Sequence, residues 1–320
     1  MSGIVIPDDA PPVMATSRAY AALRASTEVD YHDTLPGSEE GLIERIGDAA
    51  IVINIRSSSR FTARVFESCP RLALLSLWGT GTDNVDLEAA ARRGVTVTNT
   101  PGVSAIAIAE HALALLLAVA RRIPAVDAAT RAGAWPRGEV AQMHGKSLGI
   151  IGLGAIGRQF AKLGSAIGMR VIAWTMHPNP ALGFELVPLE TLLASCDAVS
   201  LHLRLSPETE GFLNRERLAL MKPGAILINT ARGRLVDEAA LVEALATRRL
   251  AGAGLDVFAI EPLAGTHPLA RLENVVLTPH SAGVTPEALE AGLQLAVDNV
   301  WNFLAGRPTN VVAGGRPVLP

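Results

Sequence analysis

The chain has 320 residues, 49% of them apolar and 18% charged, with a formal net charge of −3. That length suggests about two domains, and the balance is that of a soluble globular protein without the basic surface nucleic-acid binding requires. The two cysteines, Cys69 and Cys196, are far apart and match no metal-ligand spacing, so buried free thiols and no metal site are expected. Met1 to Ile6 is too short for a signal peptide and runs into prolines. The longest apolar run, Ile106 to Ala120, is broken by Glu110 and His111. No membrane segment is expected, and the expected location is the cytoplasm.

Ile4 to Ile6 reads as a strand, Ala15 to Ala25 as a helix, Glu39 to Ile46 as a second helix and Ala50 to Ile55 as a buried strand. Phe61 to Ser68 is helical, Leu72 to Leu77 a strand, Asp86 to Arg93 a helix and Val95 to Thr98 a strand. Such alternation, broken by short Gly, Pro and Ser stretches, predicts a parallel sheet. Asn99-Thr100-Pro101-Gly102 interrupts the series, and a long helix to about Arg122 and another from Pro124 to Ala134 follow.

The stretch Gly145 to Gly157 organises the rest. Leu148 to Ile151 reads as a buried strand that breaks into Gly152-x-Gly154-x-x-Gly157, with a helix from Arg158 to Ile167 and another strand from Val171 to Trp174. In that context the glycines serve a tight turn, close approach of backbone to a pyrophosphate, and close packing of helix on strand. The N–H groups at the helix start face the phosphates. A dinucleotide site is therefore expected here. Later strands are Ala198 to Leu201, Ala225 to Asn229, Ala253 to Val257 and Val275 to Leu277, and Thr285 to Ala305 is a long closing helix. The fingerprint lies in mid-chain, so the nucleotide-binding fold is inserted into something else.

Each of the last three strands is followed by a side chain suited to chemistry: Arg232 in Asn229-Thr230-Ala231-Arg232-Gly233, Glu261 beyond Leu255-Asp256-Val257-Phe258, and His280 in Thr278-Pro279-His280. Ligands of open α/β sheets bind at such strand ends. Carbonyl/alcohol interconversion needs this set. Histidine suits the proton donor, a carboxylate holds its ring and favours the imidazolium, and a guanidinium grips a substrate carboxylate. Taken singly, each has a plainer explanation: a structural His, a Glu-Pro turn, a surface Arg. Together, downstream of the fingerprint, they predict a hydride-transfer enzyme.

With these motifs, and with Arg56-Ser57, Gly79-Thr80-Gly81-Thr82-Asp83-Asn84-Val85-Asp86, Ala109-Glu110-His111, Met221-Lys222-Pro223-Gly224 and Val236-Asp237-Glu238, the chain resembles the D-isomer-specific 2-hydroxyacid dehydrogenases over nearly its whole length. The resemblance implies an α/β protein of two Rossmann-like domains. A nucleotide-binding domain, residues 100–283, is inserted in a discontinuous substrate domain, residues 1–99 and 284–320, with the active site between them. It implies His280 as proton donor and acceptor, Glu261 as its partner and Arg232 as substrate anchor. Cofactor contacts are implied for Gly152, Gly154, Ala155, Ile156, Gly157, Thr175, Leu203, Thr230, Ala231, Arg232, Asp256, His280 and Ala282, with Asp256 at the nicotinamide amide. Substrate contacts are implied for Arg56, Ser57, Thr80, Gly81, Ser104, Arg232 and His280. The expected reaction interconverts a small 2-oxo acid and a D-2-hydroxy acid. The resemblance also implies a homodimer formed through the long helix after Pro101, and the apolar run Ile106 to Ala120 fits that and an ordinary buried helix equally well.

The chain departs from the family pattern at several points. Thr175 stands where NAD-specific members carry an Asp. No Arg or Lys follows it, only His177, so NAD or NADP is expected, with NAD slightly favoured. Ala155 replaces a common Arg, and Ser104 stands where many relatives carry Asn. No regulatory domain follows residue 320, so serine-type feedback is not expected. His111 is expected to be structural. His202 either faces the cofactor or caps its strand, and Trp78 either narrows the pocket or packs the core. The alternative function is a dinucleotide-sensing, co-repressor-like binding protein of the same fold. Relatives acting on formate or phosphite are not favoured, because no extended N-terminal region or distinctive substrate loop is present.

Overall fold

The computed structural model describes residues 3–314. The expectations for residues 1–2 and 315–320 of the discontinuous substrate domain lie outside the described residues. The chain divides into two compact units, one running to Ser104 and resuming at Thr285, the other spanning Ala105–Val284. The break expected after Asn99 falls after Ser104, where the long helix itself begins.

The first unit contains β1 (Ile4–Ile6), α1 (Arg18–Ser26), β2 (Val29–Tyr31), α2 (Glu39–Ile46), β3 (Ile51–Asn54), α3 (Ala63–Ser68), β4 (Leu74–Leu77), α4 (Leu87–Arg92) and β5 (Thr96–Thr98). The second contains α5 (Ala105–Arg121), α6 (Ile123–Arg131), β6 (Ser147–Ile151), α7 (Ala155–Ala166), β7 (Arg170–Trp174), β8 (Glu185–Leu186), α8 (Leu189–Ser195), β9 (Ala198–Leu201), α9 (Arg215–Leu220), β10 (Ile226–Asn229), α10 (Glu238–Ala246), β11 (Gly252–Leu255) and β12 (Val275–Leu277). The chain then returns to the first unit with α11 (Pro286–Leu304) and β13 (Val311–Ala313).

The first unit's sheet has the order β13-β5-β4-β3-β1-β2, parallel except for the antiparallel edge strand β13. The second unit's sheet is wholly parallel, in the order β12-β11-β10-β9-β6-β7-β8. Each order reverses once, at β1/β3 and at β6/β9, and the crevice outside the carboxyl ends at such a reversal is where doubly wound sheets bind ligands. The inner strands β3, β4, β9, β10 and β11 are buried along their whole length. Covering both faces of a parallel sheet requires continuous apolar runs, which is why these strands are readable in the sequence.

Packing explains why the first unit is discontinuous. Leu293, Ala296, Val297, Val300 and Phe303 of α11 share a core with Ile4, Ile6, Ile53 and Leu74. In the second unit, Ala109, Ala112 and Leu116 of α5 pack with Leu148, Ile150 and Phe160. Element ends follow local hydrogen bonding. Ser17 Oγ accepts from the Tyr20 N–H at 3.0 Å, so α1 begins at Arg18 rather than at Ala15. The strand expected over Ala253 to Val257 stops at Leu255, since the Asp256 carboxylate is taken up by the loop that follows β12. Cys69 and Cys196 are free and buried, and burial pushes the Cys196 thiol up to about 11. Among the described residues no helix is long and apolar enough to cross a membrane.

Candidate active site

A glycine turn forms at the end of β6. Gly152 has φ +100°, and a Cβ there would lie 2.6 Å from the His202 carbonyl oxygen. A Cβ on Gly157 would lie 1.9 Å from the Gly152 carbonyl oxygen, so helix and turn approach as only glycine permits. A Cβ on Gly154 would meet nothing within 4 Å. Gly154 is the N-cap of α7 and has no side chain to cap it, so no cap side chain takes up the first N–H groups of the helix, where Ala155 and Ile156 stand. Thr175 lies half-buried just past β7, and Leu203 packs its side chain on the core. The Thr230 hydroxyl, just past β10, is buried without a hydrogen-bond partner among the described residues. Room beside Gly154, a helix start without a side-chain cap and an unpartnered hydroxyl fit a dinucleotide phosphate chain.

Arg232, Glu261 and His280 come together in the same unit. His280 Nδ1 lies 2.7 Å from Glu261 Oε2, and Glu261 Oε1 accepts from the Phe258 N–H at 2.9 Å. Burial alone would raise the Glu261 carboxyl. The hydrogen bonds from His280 and Phe258, and the charges of His280 and Arg232, outweigh it and hold the group below the usual carboxylate range. The turn carrying Arg232 is closed by Asn229, whose Oδ1 accepts from the Ala231 N–H at 3.0 Å and whose Nδ2 donates to the Arg232 carbonyl at 2.9 Å. Gly233 brings that turn against the Glu261 turn, because a Cβ there would lie 1.9 Å from the Phe258 carbonyl carbon. Glu238 supports the same turn. It accepts from the Ala259 N–H at 3.2 Å and pairs with His267 at 3.1 Å.

Asp256 is buried, and its carboxylate accepts from the Thr278 hydroxyl at 2.6 Å and from the Ser281 and Ala282 N–H groups at 2.9 Å each. Its backbone oxygen accepts from the His280 N–H at 2.8 Å. Its carboxylate is thus committed to the loop that carries His280, and Ala282 is buried against it. Asn229, Glu238 and Thr278 all lie within motifs visible in the sequence, but what they do depends on partners distant along the chain, so nothing local announces it.

In the first unit, Arg56 lies beyond β3 with its side chain turned inward. Its guanidinium donates to the Pro11 carbonyl and lies 3.8 Å from Asp9, and Nε is buried without a partner among the described residues. Asp8 holds the same strand end, accepting from the N–H groups of Ile55 at 2.9 Å and Arg56 at 3.2 Å. Ser57 is exposed. The Thr80-Gly81 turn is fastened to the end of β5: the Gly79 N–H donates to Thr100 Oγ1 at 2.7 Å, and Asn99 Nδ2 donates to the Thr80 carbonyl at 2.9 Å. Ser104 is half-buried at the unit's last residue before the helix.

The family model for the NAD-binding domain of D-isomer specific 2-hydroxyacid dehydrogenases matches residues 113–282. The chain belongs to this family. It is 42% identical over 307 residues to D-3-phosphoglycerate dehydrogenase of Mycobacterium tuberculosis, covering 93% of this chain and 57% of that protein. The chain thus spans little more than half the length of that relative. It is 38% identical over 307 residues to glyoxylate reductase of Korarchaeum cryptofilum, covering 92% of both. Among solved structures, the NADPH-dependent glyoxylate/hydroxypyruvate reductase of Sinorhizobium meliloti, in complex with NADP and malonate, superposes with a TM-score of 0.88 at 29% identity, covering 100% of this chain and 99% of that one.

Three residues left open by the family pattern have defined surroundings. His202 Nε2 lies 2.9 Å from Ser200 Oγ and its ring meets Phe160 edge-on, and burial pushes its pKa down to about 3. The ring is therefore neutral near neutral pH, held between Ser200 and Phe160. Trp78 packs on the core of its unit, where a Cβ on Gly292 of α11 would lie 2.3 Å from its indole nitrogen. His111, expected to be structural, reaches from α5 to Thr278, with Nε2 at 2.9 Å from the hydroxyl oxygen.

Proposed function

We propose that the chain interconverts a small 2-oxo acid and a D-2-hydroxy acid by hydride transfer with NAD or NADP. The observation that carries this reading is the 2.7 Å His280–Glu261 contact, on the unit that also forms the glycine turn. Bound nicotinamide cofactor supplies or accepts the hydride. Glu261 engages Nδ1 of His280, which leaves Nε2 to exchange a proton with the substrate oxygen. The carboxylate stabilises the imidazolium that reduction requires. Arg232, held by the Asn229 turn, orients the substrate carboxylate and polarises the carbonyl.

The unit spanning Ala105–Val284 is read as the nucleotide-binding domain and the discontinuous unit as the substrate domain. Arg56, Ser57, Thr80, Gly81 and Ser104 remain substrate-side candidates in the latter. Of these, the Thr80-Gly81 turn has the fixed backbone suited to holding a carboxylate, whereas one nitrogen of the Arg56 guanidinium is already engaged by Pro11 and Asp9. NAD is slightly favoured, because Thr175 is followed by His177 rather than by Arg or Lys. The free, buried cysteines support a cytoplasmic setting. The exposure of Ile106 (64%), Ile123 (54%) and Trp135 (77%), on α5, on α6 and just beyond, supports a homodimer through that surface.

The test is oxidation of NADH and, separately, NADPH with glyoxylate, hydroxypyruvate, pyruvate and a bulkier 2-oxo acid. Turnover with at least one is expected. Tight cofactor binding with no turnover on any 2-oxo acid would overturn the reading.

A further inference from the structure

His280 has φ +54°, a left-handed conformation uncommon for a residue other than glycine. A backbone in that region persists when its surroundings hold it there. The hold is the Asp256 carboxylate, which is 1% exposed and accepts from Ser281, Ala282 and Thr278 on either side of His280. The side chain that completes this cluster comes from α5. His111 Nε2 lies 2.9 Å from Thr278 Oγ1 and 3.6 Å from Asp256 Oδ1.

The proton count fixes the direction of these bonds. Thr278 has one hydroxyl proton, and it points to Asp256 at 2.6 Å. Toward His111 the same oxygen is therefore an acceptor, so His111 carries a proton on Nε2. The neutral Nε2–H tautomer and the imidazolium both meet this requirement. The chain of donation runs from His111 to Thr278 to Asp256, and each donor polarises the next. No proton is consumed along it, so what the site requires at position 111 is a hydrogen-bond donor of the right reach.

We propose that His111 is a positioning residue for the proton donor, fixing the Thr278–Ala282 loop through Thr278 and Asp256 so that His280 meets Glu261 and substrate in one geometry. This rests on the reading of His280 as the proton donor. A plain helix-to-loop tie would contribute to stability alone. A positioning role acts on turnover, because small misplacement of a reacting group is costly in rate.

The test compares His111→Leu with His111→Gln, and Thr278→Val with Thr278→Ser, in the full chain. The Leu and Val variants should lower kcat about tenfold, the size of effect expected when one hydrogen bond in a charged network is lost. The KM for the 2-oxo acid, the cofactor Kd and the Tm should change little. Gln and Ser, which keep the needed donor or hydroxyl, should restore most of kcat. The His111→Leu/Thr278→Val double variant should be no slower than either single variant, since both break one path. In NMR spectra the Ser281 and Ala282 amide signals should shift in the Leu variant and stay in the Gln variant.

Unchanged kcat and amide signals in His111→Leu would overturn the proposal. So would a fall of kcat and Tm together that Gln does not repair. Should His111→Leu fail to fold, equal kcat in Thr278→Val and Thr278→Ser would overturn it. Undiminished turnover in His280→Asn would instead remove the reading of His280 itself, whatever the His111 variants do.

Discussion

Glu261 is pulled in two directions: burial favours its neutral form, while the bonds from His280 and the Phe258 N–H, with the nearby charges, favour the carboxylate and win. A carboxyl lowered on folding contributes stability above its unfolded value, about 4.3, and loses it as pH falls through the folded value. Glu261→Gln removes that contribution. Relative to the variant, the native chain should lose stability as pH drops below about 4, in denaturant titrations at a series of pH values. The variant's reductase activity should also fail at lower pH on the alkaline side, because the imidazolium has lost its counter-charge. Parallel stability curves and matching rate profiles for the two proteins would contradict the pairing. Arg232, Glu261 and His280 are legible in the sequence because each follows a strand in a short, recognisable pattern. The surroundings of Arg56 and Asp256 are not. Their partners, Pro11 and Asp9 for one and the Thr278–Ala282 loop for the other, lie far along the chain, and only the fold brings them into range.

The β6–α7 element was readable because three glycines at fixed spacing follow an apolar run. The helix nonetheless begins at Ala155, ahead of the expected Arg158, since Gly154 already forms the cap. Gly157→Ala tests the close approach of helix and turn. Its Cβ would fall 1.9 Å from the Gly152 carbonyl oxygen, so α7 must move off the turn. Overpacking of this kind costs about 1–3 kcal/mol, and the displaced N–H groups should weaken cofactor binding, read as a raised Kd by calorimetry. An unchanged Kd would contradict the placement of the phosphates. Elements without a long apolar run were harder to see. The strands β2, β8 and β13 have only two or three residues each, too few for a period to show.

Across the whole molecule, alternating strand and helix segments indicated parallel sheets, and the mid-chain fingerprint indicated an insertion. Strand order was beyond the sequence, because alternation fixes the hand and direction of crossovers but not which strand begins the reversal. The orders found place one reversal in each sheet, with the glycine cradle at the second unit's reversal and Arg56 at the first unit's. The return of α11 to the first unit is a matter of which core its apolar face fills, and that too is settled only by packing. The claim joining these parts is that a family member with this cradle reduces 2-oxo acids using His280 as the acid. The most direct measurement is single-turnover and steady-state reduction by His280→Asn beside the native chain, with cofactor Kd measured on both. The account predicts unchanged cofactor binding and a rate lowered by about 10²–10⁴-fold, the contribution of a general acid. A variant that binds cofactor and reduces the 2-oxo acid at the native rate would contradict it.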